Sequence, residues 1–207
     1  MGKHAQSIDA RILARFRDRS PGKVFRAADL LDLGSRAAVD QALSRQSRAG
    51  TIRRITRGLY DMPTDHPLLG RLSAPSDAVA EALASRDGTR IQPTGAAAAN
   101  GLGLSDQVPM RAVYLTDGRS RRVQLGAMQI ELRHASPRHM ATAGRVSGSV
   151  IQALRWIGRR YVDERMIHIL RRNLSDTDKA QLLQDLAYAP AWIADIMRRV
   201  AQPEGKP

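Results

Sequence analysis

Apolar residues recur at helical spacing from the start of the chain. Ile8, Ile12, Leu13 and Phe16 form one stripe behind Ser7, a residue suited to cap a helix N-terminus. The stripe predicts a helix running to about residue 19. Ser20-Pro21-Gly22 reads as a loop, Val24-Phe25 as a short extended piece, and 27–31 as a second helix. Leu33-Gly34-Ser35 interrupts the pattern. Gly34 is expected to take the left-handed or otherwise strained backbone of a helix stop, and Ser35 to cap the next helix. In that third helix, steps of about 100° per residue gather Val39, Ala42, Leu43 and Gln46 on one side. Ala37, Gln41, Ser44 and Arg48 fall opposite, with Arg45 and Asp40 on the two shoulders. Gly50 ends the helix.

Residues 51–60 read as a tight basic hairpin. Ile52 and Ile55 are apolar, Leu59 and Tyr60 resume that signal after Thr56-Arg57-Gly58, and Arg53, Arg54 and Arg57 project from strands or turn. Gly58 suits a turn position of positive φ. Helix, glycine turn, capped helix and hairpin, with the first helix packed across them, outline a winged helix-turn-helix over residues 1–62. Pro63 and Pro67 mark 63–71 as a linker.

A second domain is expected over 72–207. It starts with a helix at 75–85, begun by Ser73 or Ser76, and a strand at 89–92 stopped by Pro93. An alanine-rich helix over 94–100 ends at Gly101 or Gly103, and 104–109 is a loop. Strands at 112–116, 121–125 and 128–134 reverse at Asp117-Gly118 and Gly126. Residues 146–160 form a helix with Val150, Ile151, Leu154 and Ile157 on one side, and helices follow at about 162–172, 175–186 and 191–201. The fold class is therefore α+β: a winged helix-turn-helix, then a mixed α/β domain with a small antiparallel sheet and C-terminal helices.

Composition narrows the chemistry. Aromatic residues make up only 4% of the chain, so Ala, Leu, Ile and Val must build the core. No apolar run approaches the ~20 residues of a membrane span, no secretory signal is read, and cysteine is absent. A soluble, intracellular, cytoplasmic protein is the expectation. Lys and Arg number 33 against 20 Asp and Glu, a formal net charge of +13. Codon usage in a GC-rich genome favours arginine but does not explain the imbalance with acids. Residues 1–62 hold 13 basic and 6 acidic residues, 63–160 hold 13 and 7, and 161–207 hold 7 of each, so the excess lies where a polyanion would bind.

No catalytic constellation is read. His4, His66, His134, His139 and His168 form no metal-binding pair on any predicted helix. GLGLSD at 101–106 lacks the third glycine and the lysine of a phosphate loop and follows a helix rather than a strand. Asp117 fits a hairpin turn and Glu131 an exposed strand position. Thr94-Gly95 reads as an anion site or, more simply, as a cap. No enzyme activity, cofactor or metal is expected. Candidate DNA contacts are Ser35, Arg36, Gln41, Ser44 and Arg45 on the recognition helix, and Arg48 near its end for phosphate. Arg53, Arg54, Thr56 and Arg57 are the wing candidates. Arg119, Arg121 and Arg122 form a basic hairpin edge that either touches a phosphate backbone or only protects the edge from aggregation.

The wing pattern I-x-R-I-x-x-G-x-Y at 52–60, the proline-bearing linker, PTGAAAANGLGLSDQVP at 93–109 and VYLTDGRSRRV at 113–123 resemble the AbiEi-type antitoxins of bacterial abortive-infection systems. The resemblance runs to about residue 160. It implies a winged-helix domain that represses its own toxin–antitoxin operon at promoter inverted repeats in double-stranded DNA. It also implies a C-terminal domain that aids DNA binding and carries the antitoxin activity. The implied partner is a nucleotidyltransferase-like toxin, neutralised without need of a direct complex. Two other readings stay open: a winged helix docking protein or RNA, and a nucleic-acid-processing enzyme with an unfamiliar site.

Overall fold

The computed structural model describes residues 7–18, 22–68, 70–106 and 110–202, and it is an α+β chain in two units. One comprises residues 1–88 with 123–126, the other 89–122 with 127–207.

In the first unit, helix α1 spans Ile8–Arg17, and Ser7 Oγ accepts the Ala10 amide at 3.2 Å, as its position predicts. The predicted end of this helix and most of the following loop lie outside the described residues. Strand β1 (Val24–Arg26) leads into Ala27–Leu33, which is a 3-10 helix rather than the α-helix expected over 27–31. The burial pattern explains the difference: Ala27, Leu30 and Leu33 are buried, every third residue, which matches the three-residue turn of a 3-10 helix. Gly34 also departs from expectation. Its φ of 168° is ordinary extended backbone, and its glycine identity instead reflects close approach, since a Cβ there would lie 2.7 Å from Ile8 Cδ1.

Ser35 caps helix α2 (Arg36–Arg48), its Oγ accepting the Ala38 amide at 3.4 Å. Val39, Ala42 and Leu43 are buried, as their spacing requires, and Gly50 turns the chain at φ 72°. Strands β2 (Arg53–Thr56) and β3 (Leu59–Asp61) form the hairpin, with Gly58 at φ 76° in its turn. Strand β3 lies between β1 and β2, antiparallel to both. Phe16 stacks on Phe25 with ring centroids 3.9 Å apart, and Ile12, Leu30, Val39, Leu43 and Ile52 complete the core. Three helical segments and a three-stranded sheet of this order make a winged-helix arrangement.

The stretch read as a linker is not one. Thr64–His66 (β4) and Gly70–Leu72 (β5) pair antiparallel as a second hairpin. Helix α3 (Ser76–Asp87) begins at Pro75 without a side-chain cap, ends at Gly88 in the left-handed conformation, and packs on β1. It was expected in the second domain, but the division falls after it, at Gly88. Its apolar face (Val79, Ala80, Leu83, Ala84) is buried. Periodicity announces such a face without naming its partner.

In the second unit, strands β6 (Ile91–Pro93), β7 (Arg111–Thr116), β8 (Arg121–Leu125) and β9 (Met128–His134) form a sheet of order β6-β7-β9-β8. Strand β6 runs antiparallel to β7, but β7 and β9 are parallel, with Tyr114 opposite Leu132. The sheet is mixed rather than antiparallel. The turn residues mark where the chain reverses, yet β9 returns beside β7 and leaves β8 at the edge. Helices α4 (Gly95–Gly101), α5 (Val146–Ile157), α6 (Glu164–Asn173), α7 (Asp176–Gln184) and α8 (Ala191–Ala201) share one core, with Ala98, Ala99, Val150, Leu154, Leu170, Leu182 and Met197 at its centre. Arg145 and Gln181 donate to the buried Asp185 at 2.7 and 3.0 Å, and Ser147 joins them.

Gly148 tests the packing of α5. Alanine there gains about 1 kcal/mol of helix propensity, but its methyl would sit 2.6 Å from the Thr142 carbonyl and against Gln92 Oε1. Overpacking of about 1–3 kcal/mol outweighs that gain, because the carbonyl is backbone and yields poorly. Gly148→Ala is therefore expected to lower the melting temperature. An unchanged or higher value would show that the 142 loop gives way freely.

Candidate nucleic-acid interface

The outward face of α2 is less cationic than its residue types suggest. Gln41 and Arg48 are exposed, and no carboxylate partners Arg48 among the described residues. Ser44 is half-buried, and the Ser35 hydroxyl is engaged as the cap. Arg36 pairs with Asp40 at 2.8 Å, one turn along. Arg45 reaches Asp9 on α1 at 2.7 Å, and Gln46 Nε2 donates to the same carboxylate at 3.0 Å. The Arg45 hydrogen bond holds the Asp9 carboxyl below its ordinary value of 3.8, so the contribution of this pair to stability is complete above that pH and fades as pH falls through the lowered value.

Exposed pairs of this kind stabilise little and yield to a competing phosphate. Asp9→Asn frees Arg45 and removes one negative charge from the face. If this face meets DNA, the variant is expected to bind roughly two- to tenfold more tightly at low salt and to steepen the salt dependence by about one counterion. Unchanged affinity in a salt titration would place Arg45 outside the contact.

Within the wing the structure separates three arginines that the sequence treats alike. Arg53 is tied into the fold rather than free. Its Nε donates to Asp61 Oδ1 at 3.0 Å, Nη2 joins the same carboxylate, and Nη1 reaches Ser73 Oγ at 3.1 Å. Asp61 is 1% exposed and also accepts the Ala74 amide at 3.2 Å. Arg54 and Arg57 are exposed and lack a carboxylate partner among the described residues. Thr56 is half-buried and follows a register shift between Arg54 and Thr56, a bulge that re-aims the strand before its turn.

The turn itself is anchored from α3, since Arg86 Nη1 donates to the Arg57 carbonyl at 2.7 Å. Nearby, Arg26 Nη1 donates to Ser85 Oγ at 2.6 Å. Sequence reading missed both Asp61 and Arg86. A hairpin turn at 57–58 does bring Asp61 opposite Arg53 in register, so that pair had a signal; Arg86 had none.

In the second unit, Arg119 and Arg122 are exposed and Arg121 is half-buried, so the three do not form one edge row. Alternation along β8 turns Arg122 toward Glu131, 3.8 Å away, together with Arg111 and with Arg133 at 3.0 Å. Glu131 is 7% exposed, against the expectation of a surface position: the guanidiniums that neutralise it also cover it. Asp117 accepts the Arg90 amide at 2.8 Å and its guanidinium at 2.9 Å, which hold its carboxyl below the usual range. Thr94 makes no side-chain cap, and Gly95, at φ 57°, lies under Trp156, where a Cβ would come within 3.3 Å of the indole. A concavity of about 700 Å³ is lined by His168, Arg171 and Arg172 of α6, Asp176 and Lys179 of α7, and Ala201 at the end of α8.

Among the described residues, no group of His, Cys, Asp and Glu could hold a metal ion, and no helix is long and apolar enough to cross a membrane. No curated protein matches the sequence. The chain is similar to the crystal structure of the RV2827C protein from Mycobacterium tuberculosis, at a TM-score of 0.44 and 16% identity over 97% of this chain and 83% of that one. The family of unknown function DUF6088 matches residues 11–182, most of the chain, and the protein belongs to that family.

Proposed function

We propose that the protein is a transcriptional repressor that binds double-stranded DNA through its winged helix and serves as the antitoxin of the operon it regulates. The observation that carries this reading is selective pairing. In a winged helix where Arg36, Arg45 and Arg53 are each tied to a carboxylate, Arg48, Arg54 and Arg57 stay exposed and uncompensated on the recognition helix and the hairpin. Free guanidiniums at those two places suit a duplex, one element near base edges and the other on phosphate or minor groove. Base readout falls to Gln41, exposed in the second turn of α2. The resemblance to AbiEi-type antitoxins supports the operon role and the nucleotidyltransferase-like toxin as the opposed partner, with neutralisation not requiring a direct complex. The protein acts by binding, not by catalysis, and uses no cofactor.

A gel shift on the DNA upstream of the gene, against salt and a scrambled competitor, tests the reading. Preference for the upstream fragment is expected. Equal retention of the scrambled fragment would leave only unspecific charge and sink the repressor role. On the preferred site, Gln41→Ala is expected to relax selectivity at one base pair by about 1–3 kcal/mol. Undiminished discrimination across a set of single-base operator variants would take Gln41 out of the readout.

A further inference from the structure

Outside the winged helix, the richest exposed surface is the end of α5 and the turn after it. Trp156 is 48% exposed and Tyr161 66%, in a chain with only 2 Trp and 4 Tyr. Arg155, Arg159 and Arg160 lie beside them in sequence, all exposed and none with a carboxylate partner among the described residues. Arginines alone are commonly a solvated face, and a single exposed aromatic needs no explanation. Two large aromatics and three uncompensated guanidiniums within seven residues are a different composition.

The backbone holds the aromatics in place. Gly158, at φ 84°, stops α5 and turns the chain into a 3-10 turn at Arg159–Tyr161. The indole of Trp156 rests against Gly95 at the start of α4, and the ring of Tyr161 folds back to within 3.7 Å of the Cβ position of Gly158. Gly158, Arg159, Arg160 and Tyr161 line a shallow concavity of about 640 Å³.

We propose that residues 155–161 form a platform for single-stranded RNA, on which unpaired bases stack against Trp156 and Tyr161 while Arg155, Arg159 and Arg160 meet the phosphates. Aromatic faces accept a base only when it has left its own stack, which selects single strands over duplexes. Asp163 and Glu164 follow closely, but Asp163 caps α6 and Glu164 pairs with Arg199. The three guanidiniums therefore keep no carboxylate partner among the described residues and favour a polyanion. Unpaired bases persist in RNA loops and ends, whereas DNA is ordinarily duplex. An acidic protein face is the competing occupant. It satisfies the charges but gives the flat faces nothing to stack on.

The test uses the full chain, a labelled oligouridylate and fluorescence anisotropy, with blunt duplex DNA, oligothymidylate and polyglutamate as comparison ligands. Tyr161→Ala is expected to weaken oligouridylate binding roughly tenfold while leaving duplex DNA binding unchanged, because it removes a stacking face and no charge. Arg159→Gln combined with Arg160→Gln should lower the salt slope for oligouridylate by about one and a half counterions. Trp156→Ala should weaken oligouridylate as well, and oligouridylate should quench the fluorescence of Trp156 in the unaltered chain. Tyr161→Ala carries the test should Trp156→Ala fail to fold. Undiminished oligouridylate binding by Tyr161→Ala, an equal loss on duplex DNA, tighter binding of polyglutamate, or tighter binding of oligothymidylate would each overturn the assignment. Duplex binding through the wing is read separately, so its failure would not be mistaken for this one.

Discussion

Asp61→Ala is expected to destabilise the winged-helix unit by about 3 kcal/mol, among the larger effects of any single substitution outside the apolar core. The carboxylate is 1% exposed, and it serves the Arg53 guanidinium and the Ala74 amide together. Alanine strands both donors. Removing one partner of a buried pair costs about 3–5 kcal/mol, and the lower end applies because the Arg53 side chain is 31% exposed and part of its charge returns to water. For a chain of this length the change corresponds to a fall of roughly 10 °C in melting temperature. Asp61→Asn keeps the shape and one acceptor and should lose less. A calorimetric scan in which Asp61→Ala melts within about 2 °C of the unaltered chain would show that Arg53 and Ala74 find other partners.

On the proposed DNA-binding reading, Arg54→Ala combined with Arg57→Ala carries the second large effect, on binding rather than on folding. Both side chains are exposed and hold no carboxylate among the described residues, so their loss removes no contact that stabilises the fold. If both reach phosphates, the slope of log affinity against log salt falls by about two, at ~0.9 per phosphate. Affinity at moderate salt falls roughly ten- to a hundredfold, alike on specific and scrambled sequences. Arg53→Ala supplies the contrast: it should melt early because it strips Asp61 of its partner. A double variant that keeps the original salt slope would remove the wing from the interface. One that loses affinity for a single sequence only would transfer these arginines from phosphate to base readout.

The distinction among Arg53, Arg54 and Arg57 shows where reading the chain stops being sufficient. Alternation places 53 and 54 on opposite sides of a strand, but whether a side meets water or a buried acid depends on what the fold lays against it. Here that acid is Asp61, brought into register by a turn whose glycine was plain in the sequence. Arg45 makes the same point across helices: its acceptor Asp9 is 36 residues away and approaches only because α1 crosses α2. The Arg86 bond to the Arg57 carbonyl spans 29 residues and requires α3 to lie against the sheet of the winged helix. Glu131 looked like a surface residue because a strand pattern cannot show that three guanidiniums converge on it.

What the sequence determined by itself is local. Ser7, Ser35 and Ser175 cap their helices, Gly50, Gly58 and Gly88 turn the chain at positive φ, and the apolar spacing of α2 selects its buried face. Each depends on interactions within a few residues, where covalent geometry and short hydrogen bonds leave few choices. Tertiary structure alone decided that α3 joins the first unit, that 63–71 pairs as a hairpin, that β7 and β9 run parallel, and which arginines remain free. Those outcomes follow from which apolar face covers which, and from which acid a cation meets after collapse. Such pairings are set by competition among distant segments, and no periodicity in a single stretch records the winner.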